Sequence, residues 1–391
     1  MGDSPLEGTA VKKIATLLAA IHIAGWVMPT INPLYSAESV GTVHPMGLMC
    51  GVAAVTASEV VANIGQRQTV IVVVGAAGEP EYAAQFAKWA HLWEQACAKS
   101  NAEFVAVGLG GASEEQQVTG GEAAQAPKPG NVEASDRTQI QELLLLQSRT
   151  DATSAASALW LVLIGHGTFD GRTAKFNLRG PDLSAAELAE WLKPIRRPVA
   201  VIDTASSSAP FLKELSAPGR IVISATKSGF EQNYAHFGQY MAEAIIDPKA
   251  DLDKDGQTSL LEAFLTASHA TAEFYAAAGR LATEHALLDD NGDALGTPAE
   301  WFRGIRPVQK ARDDASLDGY HAHQLHLFYS ATEAAMPPEL RARRDQLELQ
   351  VMALRDAKAT LPENEYFAKL EPLLQEIARI YEPPAPSPDR K

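Results

Sequence analysis

The residues of this sequence with the clearest chemical potential lie in an acidic stretch between positions 251 and 262. Carboxylates stand at its first, third, fifth and twelfth positions, a glycine at the sixth and a serine at the ninth. That spacing is typical of a twelve-residue loop that binds Ca2+ through oxygen atoms, because the glycine permits the sharp turn that such ligands require. The predicted ligands are Asp251, Asp253, Asp255, Gln257 through its carbonyl, Ser259 and Glu262.

A second acidic stretch, residues 289–300, repeats this pattern, which is that of an EF-hand loop, less completely. The sixth position is alanine instead of glycine, and a proline at the tenth position restricts the backbone. The pattern therefore leaves two alternatives open, a second Ca2+ site and a plain acidic turn. The candidate ligands at its first, third, fifth and twelfth positions are Asp289, Asn291, Asp293 and Glu300.

Two other groups of residues with chemical potential follow apolar segments. His166 and Gly167 come directly after residues 159–164, and residues 205–208, which are Ala-Ser-Ser-Ser, come just after residues 198–203. A histidine between two glycines is exposed enough to act as a general base, and the amide of Gly167 is suited to stabilise an oxyanion. By itself, the histidine motif is more typical of a turn without chemistry.

Five short apolar runs predict the strands that position these residues. The runs are rich in β-branched residues and alternate with segments of helical spacing. This alternation predicts a doubly wound, mainly parallel α/β sheet flanked by helices, in which chemistry gathers at the carboxyl ends of the strands. The predicted strands are residues 70–75, 104–108, 159–164, 198–203 and 220–225.

The two strand-end motifs resemble those of the peptidase clan that contains caspases, legumains, metacaspases, gingipains and the catalytic subunit of the GPI transamidase. In that clan one apolar strand ends in His-Gly, and the next strand of the sheet ends in a small residue followed by the nucleophilic cysteine. His166-Gly167 matches the first motif, and residues 203–205, Asp-Thr-Ala, match the second in the same chain order. The resemblance covers roughly residues 68–288 and implies a caspase/legumain-like fold, with the histidine as base and the following amide as oxyanion donor.

The resemblance fails at the nucleophile. The cysteine of the clan falls on Ala205, and the two cysteines of the chain lie elsewhere, Cys50 before the domain and Cys97 in the first predicted helix. A pseudopeptidase that binds a peptide or protein in its pocket is therefore the first interpretation. The alternatives are an active peptidase with a serine nucleophile from Ser206–Ser208, Ser207 above all, and a cysteine peptidase inactivated by substitution.

Charge and cysteine content exclude several other classes of protein. Lys and Arg total 33 against 48 Asp and Glu, which gives a formal net charge of −15 at pH 7. Such an excess of acid disfavours nucleic acid and anionic lipid as partners, because both attract Lys and Arg. Two cysteines are too few for a disulfide scaffold or a thiolate zinc cluster.

The N-terminal residues 1–66 are typical of an export or anchor segment. Lys12 and Lys13 precede an apolar run, residues 14–28, which is closed by Pro29. Basic residues followed by about fifteen apolar ones are typical of a signal peptide, and such a run is short for a membrane span. We expect an exported protein, periplasmic or extracellular, with an uncleaved membrane anchor or a buried helix as the alternatives.

The C-terminal part predicts a helical hairpin at residues 336–382. Apolar residues recur there three, four or seven positions apart on both sides of Pro362. This periodicity is typical of two antiparallel helices with one apolar seam, which is also suited to pair with a second copy of the chain. Residues 301–335 are predicted to connect the α/β domain, residues 67–300, to this hairpin, and the Pro-rich residues 383–391 to form a disordered tail.

Together these features predict a calcium-binding pseudopeptidase of the caspase/legumain type. The first alternative is an active peptidase in which His166 activates a serine. The second alternative discards the resemblance and predicts a calcium-binding structural protein that oligomerises through the hairpin.

Overall fold

The computed structural model describes residues 67–109, 135–150, 157–313 and 315–382. The predictions for the N-terminal segment 1–66, for Cys50 and for the tail 383–391 lie outside these residues. Among the helices of the described ranges, none combines the length and the apolar character that a membrane span requires.

Seven strands form the central sheet of the molecule. They are β1 (Thr69–Val74), β2 (Glu103–Val107), β3 (Leu159–Ile164), β7 (Val199–Asp203), β8 (Arg220–Ser224), β9 (Leu287–Asp289) and β10 (Thr297–Pro298). The strand order is β2-β1-β3-β7-β8-β9-β10, in which the first five strands pair in parallel and the β8–β9 and β9–β10 pairs are antiparallel. β1, β3 and β7 are buried at every position, as expected for strands that helices cover on both faces. The predicted α/β class with a mainly parallel sheet is confirmed.

Helices cover both faces of the sheet and create two hydrophobic cores. A first core lies between the sheet and α1, α5 and α6, and a second core lies between the sheet and α2, α3 and α4. Alternate residues of β3 enter opposite cores, so that Trp160 packs in the first core and Leu161 in the second. The helices are α1 (Pro80–Ser100), α2 (Asp136–Thr150), α3 (Ala185–Leu192), α4 (Ala209–Leu215), α5 (Phe237–Ala244) and α6 (Leu260–Ala277).

A small antiparallel sheet begins directly after His166. It consists of β4 (Gly167–Phe169), β5 (Ala174–Phe176) and β6 (Leu183–Ser184). Ser184 then starts α3, because its hydroxyl accepts from the Glu187 amide and its own amide donates to the Glu187 carboxylate.

The segment that the sequence predicts as a connector is part of the α/β domain. Ser259 and His326 form an antiparallel bridge, and the amide of Leu260 donates to the carbonyl of Leu325 at 2.8 Å. The compact unit therefore extends to Pro338 instead of residue 300. The additional elements are β11 (Phe302–Arg303), β12 (Arg306–Pro307), α7 (Tyr320–Gln324), α8 (Ala331–Ala335) and short 3-10 helices at Pro248–Ala250 and Ala299–Trp301.

A buried glutamine ties the first strand to the end of this domain. The side chain of Gln68 donates to the carbonyl of His326 at 2.8 Å and accepts from the indole of Trp160 at 2.7 Å. Since Gln68 is 8% exposed, both bonds are shielded from water, and they connect residues 258 and 92 positions apart in the chain. The segment around residue 326 thus completes the first core from outside the central sheet.

Residues 339–382 belong to a second compact unit. Its helices are α9 (Pro338–Asp356) and α10 (Glu363–Tyr381), joined by the 3-10 helix Ala357–Thr360. Tyr366, Leu370 and Leu374 of α10 pack against apolar side chains of α9, and Arg343 pairs with Glu376 at 2.7 Å, so the helices run antiparallel. The apolar seam is shorter than the sequence periodicity predicts, since Leu340 is exposed.

Candidate functional site

The ends of β3 and β7 bring the predicted catalytic positions to one edge of the sheet. Leu163 pairs with Asp203 in the parallel register, so the segments that carry His166 and Ala205 leave the sheet side by side. A Cβ atom added at Gly167 would lie 3.4 Å from the Cβ of Ala205. The prediction that the two motifs follow neighbouring parallel strands is therefore confirmed.

His166 is half-buried among aromatic rings. The rings of Tyr82, Phe86 and Tyr234 lie edge-on to its imidazole, at centroid distances of 4.9, 5.2 and 6.0 Å. Its Nε2 lies 3.1 Å from the carbonyl oxygen of Ala77, and because a carbonyl only accepts, Nε2 carries the proton and Nδ1 keeps its lone pair. Burial lowers the pKa of His166 and so favours the neutral imidazole, in which Nδ1 is the basic atom.

Ala205, the residue on which the resemblance places the clan's cysteine, carries no nucleophilic atom. It is 1% exposed and packs in the second core, whereas the ring of His166 contacts aromatic side chains of the first core. Its amide donates to Oδ1 of Asp203 at 3.1 Å, which fixes the turn at the end of β7. The two positions therefore follow neighbouring strands at the same edge of the sheet.

Ser206 closes the space between the two strand ends. Its hydroxyl accepts from the amide of Gly167 at 3.3 Å and donates to the carbonyl of Gly167 at 3.2 Å. The amide that the resemblance assigns to an oxyanion therefore already has an acceptor. The Ser206 side chain itself is committed to the backbone of the opposite strand end.

Ser207 and Ser208 are each 1% exposed. Ser208 accepts from the amides of Ala225 and Thr226 at 3.0 and 3.2 Å. Ser207 has a φ of 57°, and its hydroxyl is buried with no hydrogen-bond partner among the described residues. Within those residues the hydrogen bond of the His166 ring goes to a carbonyl and not to either serine.

Asp203 is a functional candidate that the sequence alone did not single out. It is 1% exposed, and its Oδ2 atom has no hydrogen-bond partner among the residues that the structure describes. Burial raises the pKa of this carboxyl to about 7. The signal in the sequence was the acidic residue that ends an otherwise aliphatic strand.

Replacement of Gly167 tests the close approach of the two strand ends. In Gly167→Ala the added methyl group would lie 2.1 Å from the carbonyl oxygen of Ser206, a backbone atom that cannot rotate away. We therefore expect a loss of about 3 kcal/mol in the free energy of unfolding, measured by urea denaturation. Gly171→Ala is the control, because no neighbouring atom lies within 4 Å of its added Cβ and only its φ of 90° resists the change, at about 1 kcal/mol. Equal losses in the two variants would contradict the close approach.

The first acidic loop gathers three carboxylates. Asp251, Asp253 and Asp255 each have one oxygen within 4.8 Å of the others. The carboxylate of Asp251 accepts from the amides of Lys254 and Gly256 at 2.6 and 3.1 Å, which folds the chain around it. Both of those residues have positive φ, 66° and 91°, as the sharp turn requires. The loop thus presents clustered oxygen atoms, the ligands that Ca2+ prefers.

The clustered carboxylates of this loop repel one another. Burial, followed by the charge of Asp253, raises the pKa of Asp255 to about 6, and the charge of Glu262 acts in the same direction. His323 lies 3.1 Å from Oδ2 of Asp253, a contact across 70 positions that the sequence did not indicate. A divalent cation among these oxygens would convert the repulsion into attraction.

Glu262 closes the loop and starts the following helix. Its Oε1 accepts from the amides of Leu252 and Asp253 at 2.7 and 3.1 Å, and its Oε2 accepts from the amide and hydroxyl of Ser259, both at 2.8 Å. The bond from the Ser259 amide, together with the bond that the Glu262 amide donates to the Ser259 hydroxyl at 3.2 Å, forms a capping box at the N-terminus of α6. The side chain of Gln257 donates to Asp255 at 3.1 Å and accepts from a distant backbone amide, so it braces the same loop.

The second acidic loop, residues 289–300, separates its twelfth residue from the other candidates. The side chains of Asp289, Asn291 and Asp293 accept hydrogen bonds from amides inside the loop. Glu300 instead is exposed, lies in a short 3-10 helix and lines a separate cavity of about 610 Å3. The structure therefore brings together three of the four predicted residues.

Comparison with known proteins gives no family from sequence, since no family model and no curated protein matches this chain. Among solved structures, the Drosophila initiator caspase Dronc is 12% identical over 68% of this chain and 95% of its own, with a TM-score of 0.36. Caspase-1 from Spodoptera frugiperda is 8% identical over 58% of this chain and 87% of its own, also with a TM-score of 0.36. A TM-score of this size does not define a common fold, so the α/β class follows from the sheet order and helix layers described above.

Proposed function

We propose that this chain is a non-catalytic, calcium-binding protein of the caspase-like peptidase type that holds a peptide or protein ligand at the edge formed by β3 and β7. Ala205 carries the proposal, because it supplies no nucleophile where the clan has its cysteine. The parallel pairing of the two strands supports the assignment to the clan. Within the clan, the Asp-Thr-Ala of residues 203–205 is most similar to the second motif of the transamidase and legumain branches.

The edge keeps features that suit a ligand. His166 has a fixed tautomer, with Nδ1 as an acceptor, and its ring lies among aromatic side chains. Phe230 is 74% exposed and lies edge-on to Phe169 of β4 at a centroid distance of 5.2 Å. Exposed aromatic side chains beside a polar group are typical of surfaces that bind peptides and proteins.

The alternative is an active peptidase with a serine nucleophile. The burial of Ser206–Ser208 disfavours it, as do the hydrogen bonds that occupy Ser206 and Ser208. A hydroxyl also needs stronger activation than a thiol, and the hydrogen bond of His166 is made to Ala77 and to no serine among the described residues.

A peptide-turnover assay discriminates the two hypotheses. The unmodified protein should hydrolyse a mixed peptide library no faster than buffer, with or without Ca2+, because it lacks a nucleophile. Ser207→Ala should give the same background rate. Turnover that is present in the unmodified protein and lost in both Ser207→Ala and His166→Ala would overturn the proposal in favour of a serine peptidase.

Calcium binding by the first loop is the second part of the proposal. The approach of the three carboxylates to within 4.8 Å favours it over a solvated acidic turn. Export fits this part, because weak calcium loops are filled where Ca2+ is millimolar, outside the cytosol.

We further propose that the hairpin pairs with a second copy of the chain, which light scattering on the full chain tests.

A further inference from the structure

The two acidic loops share one backbone conformation. In both, the first side chain accepts from the amides at the fourth and sixth positions, the third from the amide at the fifth, and the fifth from the amide at the seventh. In both, the fourth and sixth residues have positive φ, with 79° at Gly292 and 63° at Ala294 in the second loop. The alanine therefore adopts the conformation that glycine provides in the first loop, at a cost of about 1–3 kcal/mol.

The carboxylate of Asp318 lies against the second loop as that of Glu262 lies against the first. Its Oδ1 accepts from the amides of Asp290 and Asn291, the second and third loop residues, at 3.0 and 3.3 Å. Its Oδ2 accepts from the hydroxyl of Thr297, the ninth loop residue, at 2.6 Å. In the first loop, Glu262 accepts from the second, third and ninth residues in the same way.

An unpartnered buried oxygen at this loop points independently to a ligand. The Oδ2 atom of Asp293 has less than 1 Å2 of exposed surface and accepts no hydrogen bond from the residues that the structure describes. A buried carboxylate oxygen without a donor costs free energy unless a cation or another partner meets it.

The surrounding charge favours a cation as that partner. Asp289, Asp290 and Asp318 are 0%, 2% and 2% exposed. Within the described residues, none of them forms an ion pair with a Lys or Arg side chain. Carboxylates buried together repel one another strongly, since water no longer screens them, and a divalent cation offsets that repulsion.

We propose that the second loop is a divalent-cation site of the calcium type in which Asp318, from outside the loop, supplies the closing carboxylate, and Glu300 is not a ligand. The ligand set is Asp289, Asn291, Asp293, the Leu295 carbonyl at the seventh position and Asp318. This inference rests on the proposed calcium binding of the chain and extends it to a second ion. The cation would also hold the turn that leads into α7, because Asp318 directly precedes that helix at Gly319.

Counting bound calcium tests the inference. The chelator-treated full chain, titrated with CaCl2 in a calorimeter, should bind two ions, and Asp318→Asn should bind one. Glu300→Gln is the matched control, because it also neutralises one carboxylate near the loop, and it should still bind two. Retention of two ions by Asp318→Asn, or loss of one ion in Glu300→Gln, would overturn the assignment.

Further variants separate the inference from folding and from the proposed function. Asp293→Ala changes a residue nearer the surface and should also bind one ion. This variant tests the second site if Asp318→Asn does not fold. In chelator, Asp318→Asn should melt no lower than the unmodified protein, since it removes a buried charge. A melting temperature below that of the unmodified protein both in chelator and in calcium would indicate that Asp318 is only a structural hydrogen-bond acceptor. A single ion that is lost in Asp251→Asn would refute the second site alone, whereas no calcium heat at all would refute the proposed calcium binding itself.

Discussion

Calcium at one hundred times its dissociation constant should raise the melting temperature by about 5–10 °C through the first loop alone. Binding to the native state only stabilises it by about 2.7 kcal/mol at that concentration. Each 1 kcal/mol moves the melting temperature by about 2–4 °C in a domain of this size. The physical source is the relief of repulsion among Asp251, Asp253 and Asp255, which lie within 4.8 Å of one another. Scanning calorimetry in chelator and in millimolar CaCl2 measures the shift.

A matched pair of variants shows whether the shift comes from this loop. Asp251→Asn removes the first carboxylate of the loop and should lose the contribution of the first site to the calcium-induced shift. Asp247→Asn neutralises an acid only four residues earlier, outside the loop, where asparagine also caps the short helix that follows. It should retain the full shift. No shift in the unmodified protein at millimolar calcium would contradict the proposal, and so would equal shifts in the two variants.

Introducing a thiol at the strand edge should create a reactive cysteine. In Ala205→Cys, the sulfur enters beside Gly167, and the neutral imidazole of His166 offers Nδ1 as a base. A thiol needs little activation. The internal reference is Cys97, which is buried and whose pKa is raised to about 12 by burial and the charge of Glu94. We expect labelling by an electrophilic peptide to be at least about 10-fold faster at position 205 than at Cys97, measured by site-resolved mass spectrometry.

The second variant in this series removes the base. His166→Ala in the Ala205→Cys background should lower labelling at position 205 by about 100-fold or more, within the range that general bases contribute. Ser207→Ala in the same background should leave labelling unchanged, because the Ser207 hydroxyl is buried with no partner among the described residues. Labelling at position 205 no faster than at Cys97 would show that the edge has lost catalytic geometry while the fold persists.

Much of the α/β domain could be predicted from local pattern. The runs that form β1, β3 and β7 are aliphatic at nearly every position, and helical segments separate them, so the parallel sheet follows from the sequence. The antiparallel strands β9 and β10 could not be predicted, since they contain only three and two residues and lie within an acidic stretch. The extent of the domain also escaped prediction, because the contacts of residues 325–327 with the first core are formed over long distances in the chain.

The residues of the candidate sites show the same difference between local patterns, which could be predicted, and contacts between distant parts of the chain, which could not. Ligands that follow one another in a loop, such as Asp251 and Asp255, have a spacing that the sequence displays directly. His323 and Asp318 reach the loops from 70 and 28 positions away, so no local pattern marks them. The burial of Asp203 is likewise a property of the assembled sheet edge, and only its place at the end of an aliphatic strand hinted at it.

The hydrogen bond from Gln68 to the carbonyl of His326 can form only late in the synthesis of the chain. Its partners are 258 residues apart, so at roughly 5–20 residues per second the ribosome needs about 13–50 s to deliver the second after the first. Throughout that interval the glutamine and the Trp160 indole lack the environment that later buries them. The first acidic loop is also completed late, because the partners of Asp253 and Gln257, His323 and Ser330, belong to the last part of the domain. Calcium would therefore stabilise the finished chain and give little help to a nascent one.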